Sequence, residues 1–437
     1  MNLSYIVYIR VIIKTDNYII MQSRVLIWAI MISLFSSVNA QEVTEYKRKA
    51  VMKEINSNIK SENYQKADEL VRNAINKYDE AKTDAEYYNL EVNIQYQLTL
   101  SENRKMYLKS NPDTTKYFGH ILNMYRYGIQ CDSLDAQPNE KGEIKFSYRD
   151  NISSKMKALR NNLCSAGKYH YKKKNYKEAY EFLDMYMSTT NSPLVKESKG
   201  NQNAQASNSD SVKLSQLAVL SAYASKNFDK AIKYISIALL DSGMRAHIYE
   251  VGSIAYSELG DTIHMLDMQN KGFLSYPTKE YFYTSLLKYY NDNSQYEKAI
   301  DIARRTVKYN PENRKCWYIK GKVERCMNMQ DSAIASFSRA IELQPDDAET
   351  YSSIGNIYME QANNKYKNLN IPISNPHYAE AKKEINALYS KAKDYYENAR
   401  KYDEKNTELW LPYLREIYYK LNKGKELKAL ESYDSSK

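Results

Sequence analysis

The chain is predicted to be all-α, a solenoid of antiparallel helix pairs, and three observations predict it. Aligning residues 249–358 on themselves with a shift of 34 makes the same chemistry recur. Tyr249, Tyr283, Trp317 and Tyr351 coincide, as do Tyr256, Tyr290 and Tyr358 at multiples of that shift, Gly321 with Gly355, and Ala299 with Ala333. A fixed period of this length is the mark of a repeat array. Pro277, Pro311 and Pro345 keep the same spacing. Each lacks an amide hydrogen and biases its predecessor away from the α region, so each closes one unit and turns the chain into the next. Within a unit the apolar positions recur at helical spacing, which implies two amphipathic helices. In the second of these, Ala333 and Ala340 are small enough to let the backbones approach to roughly 8 to 10 Å, with Phe337 filling the space beside them.

The run from Trp317 through Gly321, Ala333, Phe337 and Ala340 to Pro345 resembles the tetratricopeptide repeat family. The resemblance implies a right-handed superhelix over most of residues 42–433, clearest at 245–360 and weakest at 84–158. It also implies a binding scaffold in place of a catalyst. Signal-like apolar residues, richness in lysine, asparagine and tyrosine, and few glycines resemble exported repeat proteins of AT-rich Gram-negative bacteria such as the Bacteroidetes.

The chain opens on an extension and a targeting segment, residues 1–40. Arg24 precedes the apolar run 25–35, and Val38, Asn39 and Ala40 make a small-residue cleavage site. This reads as a secretory signal peptide over Met21–Ala40, too short to span a membrane. Arg10, Lys14 and Asp16 interrupt the residues before it, so translation is expected to start at Met21, with Gln41 opening a periplasmic or secreted protein. No later apolar run reaches about 18 residues, so no stable membrane span is expected after cleavage. Residues 41–195 form divergent helical repeats. Asn63, Tyr64, Gln65, Lys66 and Ala67 begin a second helix, and the same order of a polar turn, an aromatic and then alanine returns at 174–179, 227–231 and 295–299. Residues 84–133 carry two more helices, and the loop 135–148 interrupts them, extended in part over 144–148. A repeat at 159–193 places Gly167 and Ala179 in register. Residues 196–210 lack large apolar side chains and read as a flexible polar loop. From Ser211 the array runs to 437. The alanine matching Ala333 arrives late, at Ala392, so an extended hairpin is expected near 361–391, with Pro372 and Pro376 inside it, and a last helix pair begins at Trp410.

Several function classes are disfavoured. Lys and Arg number 63 against 53 Asp and Glu; losing residues 1–40 lowers the formal charge from +10 to +8, a weak footing for nucleic acid. His120, His170, His247, His264 and His377 lie at no ligand spacing, so no metal and no cofactor is expected. No glycine-rich phosphate loop or glycine-flanked serine is present, and the chain is read as not an enzyme. Cys316 and Cys326 sit about 15 Å apart along one helix and cannot pair with each other; with Cys131 and Cys164 they are expected to be mostly free, packed thiols.

Of the 43 tyrosines, Tyr249, Tyr283, Tyr290 and Tyr358 are read as large residues between helices. Tyr281 and Tyr318 face away from that packing register. Carried onto this chain residue by residue, the family's concave face takes Tyr281, Thr284 and Lys288 from one unit, Lys315, Tyr318, Lys322 and Arg325 from the next, and Asn356 from the one after. Residues 318, 322 and 325 share a helix face by spacing alone. Such a surface suits a protein or peptide, an acidic one or a C-terminal carboxylate in particular, with Arg325 as a bidentate donor. The peptide-carboxylate clamp of some family members has a different spacing. A periplasmic or surface glycan-handling component is the alternative, with outward aromatic rings as its support. A DNA-linked regulator would call for a membrane helix and a helix-turn-helix module after the array, and the sequence is read as having neither.

Overall fold

The computed structural model describes residues 48–138, 141–196 and 204–433, so the signal segment Met21–Ala40 and the start at Gln41 lie outside the described residues. The chain divides into two compact units, one through Ala158 and one from Leu159. Every regular element among the described residues is helical.

The first unit contains α1 (Arg48–Lys60), α2 (Tyr64–Lys77), the single turn α3 (Asp79–Lys82), α4 (Ala85–Tyr107) and α5 (Thr114–Asp135), and ends within α6 (Arg149–Lys172). Asp84 and Asp113 cap α4 and α5, each accepting a backbone N–H of the first turn at 3.0 Å. The loop expected to run extended at 144–148 is irregular instead. The amides of Ser147 and Tyr148 donate to the Asp135 carboxylate, and Arg149 closes the loop on Asp132 at 2.6 and 2.9 Å, so local side chains satisfy the backbone that a neighbouring strand would otherwise pair.

The second unit continues with α7 (Tyr176–Ser188), α8 (Ala204–Ala224), the broken helix α9 (Phe228–Ile232) and α10 (Ile235–Ala238), then α11 (Arg245–Glu258), α12 (Thr262–Ser275), α13 (Glu280–Asp292), α14 (Tyr296–Tyr309), α15 (Arg314–Cys326) and α16 (Gln330–Leu343). Two long helices come next, α17 (Ala348–Lys367) and α18 (Pro376–Tyr402), then α19 (Leu411–Lys420) and the short α20 (Gly424–Ala429). Two boundaries differ from those read in the sequence. The helix α8 starts at Ala204, inside the stretch expected to be a polar loop, because Ala204, Gln205 and Ala206 are good helix formers whatever their polarity. The division between units falls after Ala158, not at 196–210. Across the polar stretch, Tyr180 and Leu183 of α7 share one buried cluster with Leu214, Ala218 and Val219 of α8, and that burial joins the repeat at 159–193 to the helices beyond it.

Helices pair across turns of one geometry. Glu62, Lys174, Lys226, Ser294, Asn328 and Asn422 each adopt a left-handed backbone, with φ between 55° and 62°. The next residue's N–H then reaches back five positions, as from Asn175 to His170, Asn227 to Ala222, Gln295 to Tyr290 and Met329 to Glu324, at 2.7–2.9 Å. This is the Schellman closure, which satisfies carbonyls a helix end leaves open.

Packing between paired helices turns on a small residue facing a large one sixteen positions on. A Cβ on Gly321 would lie 2.7 Å from the Phe337 ring, and one on Gly167 would lie 2.6 Å from Leu183. Gly355 faces Tyr396 in the same way, with the 25 late residues intervening. Gly321→Ala is expected to destabilise the protein by about 2 kcal/mol through overpacking. Adding Phe337→Leu should recover part of that loss, and a double-mutant cycle of thermal unfolding reads the coupling.

Unit one buries a polar cluster. Glu91 is fully buried; Gln95 donates to Asp68 at 2.7 Å and to Glu91 at 3.3 Å, its carbonyl meets His120 Nδ1 at 2.7 Å, and Arg72 pairs with Asp68. Burial first, and then the neighbouring Asp68 charge, push the Glu91 carboxyl up to about 9. The folded state therefore holds this proton where the unfolded chain, with a pKa of about 4.3, has released it. The group's stabilising contribution is whole below that lower value and declines by about 1.4 kcal/mol per pH unit up to its folded pKa. Glu91→Gln, neutral throughout, is expected to flatten the decline in melting temperature from about pH 5 to pH 9, measured by calorimetry.

Candidate functional site

The helix α15 starts at an Asn313 cap, whose side chain accepts the Lys315 N–H at 3.0 Å, and it presents Tyr318, Lys322 and Arg325 along one stripe. The first helix of the next unit, α17, runs beside it and supplies Glu349, Ser353, Asn356 and Glu360, spaced four, three and four. The entry to α19 brings Glu408 and Tyr413. Together these groups line a cleft of about 490 Å³.

Tyr318 anchors one wall. Its ring tilts against Phe337 at 5.6 Å between centroids, and its hydroxyl donates to Glu349 Oε1 at 2.5 Å. Burial and then that hydrogen bond raise the phenol pKa, so it stays a donor at neutral pH. Lys322 Nζ lies 5.5 Å over the same ring. Arg325 stands 4.0 Å from Glu360, with both side chains more than two-fifths exposed, a pairing loose enough to exchange for a ligand carboxylate. The opposite wall is stiffer. Tyr396 stacks on Tyr413 at 4.7 Å and donates to Asn356 Oδ1 at 2.8 Å, which fixes the amide with its NH₂ as the remaining donor. Ser352 is tied to the Leu409 carbonyl at 2.8 Å.

Of the residues read in the sequence, Tyr318, Lys322, Arg325 and Asn356 meet in this cleft, whereas Tyr281, Lys288 and Lys315 do not line it. Tyr281 is half-buried, edge-on to Phe282, and shares its hydroxyl with Ser253 at 2.7 Å; Thr284 returns its hydroxyl to the Glu280 carbonyl of its own helix. Lys315 points to Glu280 at 3.5 Å, and Lys288 is exposed on α13. The expected basic face is a mixed one. Glu349, Glu360 and Glu408 stand beside Lys322 and Arg325, so carboxylates at least balance cations along the lining. These acids had a signal. One period after Lys315 comes Glu349, and register fixes the position of a side chain without fixing its sign.

Three histidines have neighbouring side chains as partners: His170 stacks on Phe182 at 5.2 Å, His264 pairs with Asp261 at 2.7 Å, and His247 with Glu250 at 3.3 Å. Cys131 and Cys316 are buried, Cys164 half-buried and Cys326 exposed at the cleft, all unpaired among the described residues. No group of metal-ligating side chains occurs among the described residues.

Residues 321–361, which take in the end of α15 and most of α17, match the family model described as TPR repeat. This stretch is similar to a tetratricopeptide repeat. Anaphase-promoting complex subunit 3 of Schizosaccharomyces pombe is 29% identical over 131 residues, which is 30% of this chain and 16% of that protein, so the chain spans well under two thirds of that relative. Among solved structures, the C-terminal part of a TPR repeat-containing protein from Cytophaga hutchinsonii is 16% identical, covering 60% of this chain and 91% of that one, with a TM-score of 0.40. MamA is 19% identical with a TM-score of 0.31, over 43% of this chain and 95% of its own. YrrB, described as a TPR protein with an unusual peptide-binding site, is 15% identical with a TM-score of 0.33, over 47% and 94%.

Proposed function

We propose that the chain is an exported, non-catalytic scaffold that holds a protein or peptide segment in the cleft of Tyr318, Lys322, Arg325 and Asn356. The observation that carries this reading is the chemistry of the lining. Donors (the Asn356 amide, Lys322 and Arg325) and acceptors (Glu349 and Glu360) face one open cleft on neighbouring repeat helices. A polypeptide main chain offers an acceptor and a donor at each residue and suits such a lining. With three carboxylates present, a segment of mixed charge fits better than a purely acidic one, and polyanionic nucleic acid fits poorly. No helix among the described residues is long and apolar enough to cross a membrane. Export rests on the Met21–Ala40 segment.

Dodecapeptides selected from a displayed random library on the full chain are expected to lose about tenfold or more in affinity when Lys322 and Arg325 are both changed to Glu, with the helical spectrum intact. Unchanged affinity would discard the cleft. Export has its own measurement: N-terminal sequencing of protein recovered outside the cytoplasm should begin at Gln41, and recovery only of an unprocessed cytoplasmic form would remove it.

A further inference from the structure

The repeat period allows the inserted residues to be located on the helices. Shifted by one period, the end of α15 at Cys326 falls on Glu360, so residues 361–367 prolong α17 by about 10 Å of helix. Shifted by one period and the 25 extra residues, the start of α16 at Gln330 falls on Tyr389, so residues 376–388 prolong α18 by about 20 Å. The prolongation is held as a hairpin, with Lys365 Nζ on Glu384 at 2.8 Å and Tyr389 donating to Asn363 at 2.6 Å.

This overhang makes a second cleft of about 780 Å³. Its walls include the inserted residues Gln361, Asn364, Glu384 and Ala387, and its floor is the preceding unit's turn at Asn328 and Gln330. The same Asn328 and Gln330 line the first cleft, so the two spaces meet over that turn. Gln361 donates to Gln330 Oε1 at 2.9 Å across the ridge, a neutral hydrogen bond that a ligand amide could replace like for like. The second cleft thus offers four amide side chains, whose paired donors and acceptors match a peptide main chain.

We propose that the insertion 361–388 adds a second compartment to the binding cleft, so that one extended polypeptide runs from Tyr318 and Arg325 over Asn328 and Gln330 into the space beneath Asn364 and Ala387. The proposal rests on reading the first cleft as a polypeptide site. An extended chain advances about 3.3 Å per residue, so the overhang lengthens the bound segment by several residues. Selectivity then comes from the insertion as well as from the repeat, because a shorter ligand leaves the second compartment unfilled.

The test uses the full chain and the selected dodecapeptides. Ala387→Trp, at an exposed position, fills the second compartment; Gln361→Ala with Asn364→Ala removes amides without filling it. Both variants are expected to bind the dodecapeptides about tenfold more weakly. Peptides shortened at the end that reaches the insertion should bind the wild type and Ala387→Trp alike. Equal affinity of the wild type and Ala387→Trp for the full dodecapeptide overturns the proposal. So does an equal loss for long and shortened peptides. Weakening by Ala387→Trp with no effect of the Lys322 and Arg325 reversal shows that no ligand spans both clefts, and overturns it as well. If the selection yields no binder, the polypeptide reading itself falls. An oligosaccharide array bound by the wild type and abandoned by Ala387→Trp replaces the polypeptide with a glycan.

Discussion

The structure depends on one steric condition: where the two helices of a unit cross, one of two facing side chains must be nearly absent. Gly321 under Phe337 and Gly355 under Tyr396 meet it with glycine on the first helix. One period before Gly321 the sizes are exchanged, with Leu287 on the first helix and Ala303 on the second, both buried in the same cluster. Ala218 with Tyr234, and one period later Gly252 with Met268, keep the small-then-large order. What the repeat maintains along its own length is the summed volume at the crossing, because a close-packed interior tolerates exchange of size across a contact and penalises excess.

That condition explains which parts of the fold are legible in the sequence. Alanines, glycines and prolines mark the crossings and unit ends, and they recur at fixed spacing because each has few substitutes. The turns are legible only as polar stretches. The left-handed residue is Glu62, Lys174, Lys226, Ser294 or Asn328, with no shared chemistry, since the backbone bond from five residues back defines the turn and any exposed side chain can tolerate it at modest cost. The start of α8 was hidden for a related reason: polarity separates buried from solvated faces, whereas residues 204–211 are mostly polar and still able to form helix.

Tyrosine shows the same economy at the next level. Tyr283 and Tyr290 are buried between helices, while Tyr249 and Tyr358 are half-buried, each placing a large ring at a period position. Where two tyrosines adjoin, helix geometry sends them apart: Tyr418 is buried and Tyr419 is 71% exposed. Tyr395 leaves the crossing that Tyr396 fills and stacks on Tyr358 at 5.7 Å. Hydroxyls at the rim then find acids or amides, as Tyr318 finds Glu349 and Tyr396 finds Asn356, so the packing residues also set the polar pattern of the cleft.

The cleft was half legible for a reason built into repeat architecture. The family register is expected to place certain positions on one face, and four of them, Tyr318, Lys322, Arg325 and Asn356, line one cleft. It carries no information on charge, because the period repeats packing positions and not the sign of exposed side chains; Lys315 and Glu349 occupy equivalent positions with opposite sign. Tyr281 and Lys315 stand at correct register positions and still miss the cleft, since a concavity also needs a neighbouring element to close it. Here that element is the entry to α19 with Glu408 and Tyr413, which the hairpin displaces by 25 residues from where the period would put it. The same insertion that obscures the repeat in sequence therefore decides where along these helices a cleft is closed.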